Sequence, residues 1–118
     1  MDAVTRSTLV TRSFRPRSTV WPMPTFEPRP EFLRDYARLT QEERDLFRVA
    51  RQRFVADLRT GRFRPGLRIR GVEGHPGVYE MTWAPDGRAT FEYGTPVRAG
   101  ELHIIWRRIG SHDIFERP

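Results

Sequence analysis

The sequence predicts an α+β fold: an N-terminal helical hairpin packed on a predominantly antiparallel sheet of about four strands. Three observations carry this. Thr40-Gln41-Glu42-Glu43 reads as a capping box opening a long amphipathic run. Period-two segments flank Pro85-Asp86-Gly87, a turn signal. With 118 residues and 13.9 kDa the chain holds one domain and can bury about two-thirds of its unfolded surface.

Residues 1–25 read as a basic, flexible tail. Arg6, Arg12, Arg15 and Arg17 sit among Ser, Thr and Pro with no sustained period. A folded domain over 26–118 follows. A mitochondrial transit peptide matches the tail loosely, but Pro16 and the lack of an apolar face argue against it. Pro30 suits a first helical turn, and Phe32, Leu33, Tyr36 and Leu39 then recur at helical spacing. In the second helix Phe47, Ala50, Phe54 and Leu58 line one face, Arg44, Arg48, Arg51 and Arg59 the other, and Gly61 is the stop. The helix arginines read as solvated surface.

The sheet follows. Leu67-Arg68-Ile69-Arg70 alternates as a half-buried strand, with Arg68 and Arg70 on one face. Residues 71–77 form a Gly/Pro loop without the helix that a nucleotide-binding glycine motif needs. Val78–Trp83 and Arg88–Tyr93 form a hairpin, with Asp86-Gly87 as a type I′ pair. Leu102–Arg108 is the most apolar strand and is placed centrally. Thr25–Glu27 is available as an edge strand.

Charge dominates the composition. The chain carries 21 Lys plus Arg against 15 Asp plus Glu, net +6, and every one of the basic residues is arginine. That excludes a Schiff-base lysine, a Walker lysine and a lysine general base. Guanidinium suits phosphate and carboxylate recognition. A GC-rich genome would also replace lysine with arginine, but it would not set the charge balance. There is no cysteine, hence no disulfide, thiolate metal site or cysteine nucleophile. No apolar stretch reaches the roughly 20 residues of a membrane helix. A cytoplasmic location is expected.

Arg68, Arg70, Arg88, Arg107 and Arg108 fall on sheet positions that can converge on one open face, an electrostatic footprint for a phosphate backbone. The opposing reading pairs them with Glu80, Glu92 and Glu101. Of three histidines, His75 lies in the Gly/Pro loop and His103 begins a strand. His112 follows a glycine at a strand exit beside two arginines and Asp113, so it is the acid/base candidate. No His/Asp/Glu spacing suits a metal, and neither metal nor cofactor is expected.

Three segments resemble the RelE/ParE toxin superfamily, over about residues 26–115. They are Phe63–Gly71, the tyrosine-led Gly77–Trp83 with the arginine-led Gly87–Tyr93, and Trp106-Arg107-Arg108-Ile109-Gly110-Ser111-His112-Asp113-Ile114-Phe115, the most specific of the three. The resemblance implies a RelE-like toxin of a type II toxin–antitoxin system. It implies a ribosome-dependent mRNA endoribonuclease using attack of the ribose 2′-OH on the adjacent phosphate, with a cognate acidic antitoxin as partner. Carried over, Arg88 resembles the phosphate-steadying arginine, Arg108 or Arg107 the terminal-strand arginine, His112 the histidine base or acid, and Phe115 the nearby aromatic. Arg68, Arg70, Arg107 and Phe115 are then RNA-binding candidates. Where the family often places basic or histidine side chains, this chain has Glu80, Thr82 and Trp83. The alternative is a ParE-like or catalytically silent relative that acts by binding, either to DNA gyrase or to RNA.

Overall fold

The capping box forms as read. In the computed structural model, which describes residues 23–118, the Thr40 hydroxyl accepts from the Glu43 amide at 3.1 Å and the Thr40 amide donates to Glu43 Oε1 at 2.8 Å. These bonds open α2 (Gln41–Thr60), which ends at Gly61 with φ 77°, the left-handed conformation glycine adopts without strain. Helix α1 (Pro30–Arg38) starts on Pro30, whose missing N–H costs nothing there. Residues 1–22 of the expected tail lie outside the described residues, whereas Thr25 already belongs to a strand.

Among the described residues the sheet has five strands: β1 (Thr25–Pro28), β2 (Arg70–Gly71), β3 (Tyr79–Ala84), β4 (Gly87–Gly94) and β5 (His103–Gly110). Their order is β1-β5-β4-β3-β2. The sheet is mixed, because β1 runs parallel to β5 while the other pairs are antiparallel. The optional edge strand is thus real, and it leaves β5 in the interior with a neighbour on each side. His103 anchors β1. Its Nε2–H donates to Glu27 at 3.0 Å, which leaves Nδ1 to accept from the Thr25 hydroxyl at 2.7 Å.

Two expectations need correction. Leu67–Arg70 is not a strand. Pro65–Leu67 forms a 3-10 turn, Arg68 is left-handed with φ 50°, and only Arg70 and Gly71 pair with β3. Pro65 fixes a φ suited to the 3-10 turn, so Leu67 reaches the core without an extended backbone. The hairpin turn is also displaced by one residue. Ala84 pairs with Gly87, so Pro85-Asp86 is the central pair. Proline φ is near −65°, and Asp86 has no positive φ, so type I′ geometry is ruled out. Gly87 instead stands where a Cβ would lie 2.6 Å from the Trp83 ring.

The core lies between the helices and one face of the sheet. Phe47, Phe54, Phe91, Met81, Ile104 and Ile109 are its largest fully buried apolar side chains. Phe54 meets Phe91 at 4.9 Å and Trp106 at 5.3 Å between ring centroids. Each such phenylalanine contributes about 1.5–3 kcal/mol of burial. The opposite face carries Glu80, Thr82, Arg88, Thr90 and Glu92, in register with one another across β3 and β4 or one residue pair apart.

Candidate functional site

A β-bulge decides where the terminal-strand arginines point. Phe91 faces Trp106 and Thr90 faces Arg108, so Arg107 is an extra residue in β5. Strict alternation would turn Arg108 inward with Trp106. The bulge lets both arginines leave the core side while Ile109 returns to it. Arg107 donates through Nε to the Pro118 carbonyl at 3.0 Å and forms an ion pair with Glu92. Arg108 is clamped by Asp35 of α1 at 2.6 and 3.2 Å, and that hydrogen-bonded carboxylate raises the Arg108 pKa further. Asp35 also accepts from the Ile109 amide at 3.1 Å, beyond the point where β1 stops covering β5.

At the hairpin end of the sheet, His112 opens a 3-10 turn (His112–Glu116) capped by the Ser111 hydroxyl. Its Nδ1 lies 3.0 Å from Asp86 Oδ1, in the β3–β4 turn. A carboxylate can only accept, so Nδ1 carries the hydrogen and the neutral ring keeps its lone pair on Nε2. The ring is 57% exposed. Phe115 packs edge-on against it, with centroids 5.6 Å apart. Asp86, rather than the adjacent Asp113, is therefore the histidine's partner.

Arg88 stands two residues beyond Asp86 and opposite Gly110. It is buried, and its NH1 lies 3.3, 3.3 and 2.9 Å from the carbonyl oxygens of Ala84, Pro85 and Gly87. The guanidinium thus clips its own turn and places a fixed positive charge there. Among the described residues, Arg88 Nε, Thr82 Oγ1 and Trp83 Nε1 are buried with no hydrogen-bond partner. Three unsatisfied atoms on one hairpin is a concentrated polar deficit of the kind that marks strain or function.

The five sheet arginines do not form one cluster. Arg68 is exposed beyond the 3-10 turn, off the sheet ladder. Arg70 is at the β2 edge, 3.4 Å from Glu80. Both the Arg70–Glu80 and Arg107–Glu92 pairs follow the neutralising reading. The structure assembles a different basic surface. An open cleft of 610 Å³ is lined by Arg29, Arg34, Arg38, Arg107, Arg108 and Arg117, together with His75 and three acids. Arg34 and Arg38 share one face of α1 at i,i+4 spacing. That spacing was visible in the sequence, but nothing in it placed α1 beside the outer sheet face. Among the described residues, no group of three or more His, Asp or Glu is placed to hold a metal ion, and no helix is long and apolar enough to cross a membrane.

The backbone of this arrangement, two helices before a hairpin with a parallel edge strand against the last strand, is similar to that of solved toxin structures. The E. coli DinJ–YafQ toxin–antitoxin complex matches with TM-score 0.55 at 14% identity, over 78% of this chain and 96% of that one. YafQ from E. coli matches with TM-score 0.56 at 13% identity, over 76% and 94%. The chain has the RelE-like toxin fold. The RelB–RelE antitoxin–toxin complex from Methanococcus jannaschii extends the RelE-like set, with TM-score 0.52 at 14% identity over 76% and 94%. No protein-family model matches the chain, and no curated protein matches it in sequence. The RelE-like likeness therefore rests on backbone geometry.

Proposed function

We propose that this protein is the toxin of a type II toxin–antitoxin pair and cleaves mRNA on the ribosome. The observation that carries the reading is the Asp86–His112–Phe115 cluster beside the buried Arg88 charge. RNA supplies its own nucleophile. His112 Nε2 takes the proton of a ribose 2′-OH as O2′ bonds to the adjacent phosphorus. The P–O5′ bond breaks, and the leaving oxygen takes a proton from water. The products are a 2′,3′-cyclic phosphate and a 5′-hydroxyl. Asp86 holds the ring in the tautomer that can accept the proton. Arg88, with Arg108 at the strand end, supplies fixed positive charge toward the phosphorane, and Phe115 offers a stacking face for a base. The DinJ–YafQ and RelB–RelE complexes support an antitoxin partner.

The test is cleavage of ribosome-programmed mRNA. His112→Ala should lower the rate about 10²–10⁴-fold, and Asp86→Asn by less. An unchanged rate in His112→Ala removes the catalytic assignment. A wild-type protein that cleaves nothing and is not toxic removes the function. One observation favours a binding-only reading: Arg88 NH1 and the Arg108 guanidinium already have internal partners. A gyrase supercoiling assay separates that case, since inhibition without RNA cleavage would support it.

A further inference from the structure

We propose that the cleft between α1 and the C-terminal turn is a second RNA-backbone subsite, which holds phosphates of the substrate strand away from the cleaved bond. The inference rests on the RNA reading above but concerns Arg34, Arg38 and Arg117, which that reading does not use. Six guanidinium groups and three carboxylates line the cleft. Arg108 is committed to Asp35, Arg107 to Glu92, and Arg29 lies 3.7 Å from Glu31 and 3.8 Å from Glu92. The Arg34, Arg38 and Arg117 side chains are exposed and have no ion pair or hydrogen bond among the described residues. The committed arginines fix the wall, and the free ones face solvent with unused bidentate donors.

The lining chemistry selects the ligand. Among the described residues, Pro118 is the one apolar residue lining the cleft, and no phenylalanine, tyrosine or tryptophan lines it. An acidic protein segment would bring apolar side chains with nothing to bury them against. With the His75 imidazole as its single aromatic ring, the cleft has no row of stacking platforms for successive bases. Repeating phosphates need neither. Such contacts position a strand without reading its sequence. The geometry joins the cleft to the proposed active site through the turn that begins at His112, since Arg117 lies five residues on, roughly 10 Å along a 3-10 helix. An oligonucleotide must therefore exceed a few nucleotides to reach both.

The measurement is binding of 2′-O-methyl RNA, which lacks the nucleophile, at two lengths and several salt concentrations. The double variant Arg34→Gln/Arg38→Gln should weaken the longer oligonucleotide at least tenfold and leave a trinucleotide nearly unaffected. Its log–log salt slope should shrink by about 1.4, the value for two lost single-strand phosphate contacts. Arg117→Gln should shrink the slope by about half as much, and Arg62→Gln, beyond the far end of α2, should change nothing. An unchanged slope in the double variant overturns the subsite. So does loss of polyglutamate binding in parallel with RNA, which would assign the cleft to an acidic protein. Wild-type protein that binds the long RNA through these arginines but does not cleave mRNA keeps the subsite and removes the nuclease. Cleavage with intact binding in the double variant does the reverse. No RNA binding by wild type removes both.

Discussion

At the residue scale, Asp57 shows how one carboxylate fixes a chain direction. It accepts from the Arg64 amide at 2.9 Å and from Arg64 Nε and NH2 at 2.8 Å each, tying the end of α2 to the segment that enters the sheet. The Arg64 hydrogen bond is the main reason its pKa is lowered. A carboxyl depressed in the folded state stabilises the fold fully above its unfolded value, about 3.9. That stability is lost as pH falls through the folded value. Acid titration of unfolding should therefore be shallower for Asp57→Asn than for wild type below about pH 4, and identical acid limbs would refute the assignment. The Asp57–Arg64 tie was not read from the sequence, because seven residues and a helix terminus separate the partners. His112 was legible from its strand exit and its family resemblance. Its partner was not, since Asp86 lies 26 positions away and Asp113 stood nearer in the chain.

At the scale of the element, local chemistry was readable where it is self-contained. The α2 cap needs Thr40 and Glu43 alone, and both of its bonds form. Thr40→Ala should cost about 1 kcal/mol, checked by denaturant unfolding. The β3–β4 hairpin was readable as a hairpin but not in register. Asp86-Gly87 is a strong turn pair, yet Pro85 with its fixed φ claims the first corner, and the packing of Trp83 needs a glycine at position 87. Gly87→Ala should destabilise by about 1–3 kcal/mol through overpacking, with a far smaller loss if Trp83 is also shortened to Leu. The missing half of β2 has the same kind of cause. Leu67 and Ile69 alternate like a strand, but inward spacing alone cannot distinguish a strand from a 3-10 turn followed by a left-handed residue. The Trp106-Arg107-Arg108-Ile109 pattern held a bulge signal: two charged residues between two apolar ones cannot alternate in a regular strand.

For the molecule as a whole, the two-helix-then-sheet order followed from periodicity, whereas the proposed RNA surface required the tertiary arrangement. Five sheet arginines were expected to gather on one face. Two of them are matched by glutamates instead, and α1 brings Arg34 and Arg38 to the side where the C-terminal turn closes. Pairing β1 with β5 sets the timing of assembly. Thr25 and His103 are 78 residues apart, and Asp35 waits 73 residues for Arg108. Closing loops of that length is slow and comes late in folding. Pulse-labelled amide exchange during refolding should show α2 protected first and the Thr25 amide, bonded to Leu102, protected last. Protection of β1 before β5 would contradict this order. A chain still emerging from the ribosome thus lacks both the Asp86–His112 pair and the closed cleft until residues 103–117 have left the exit tunnel.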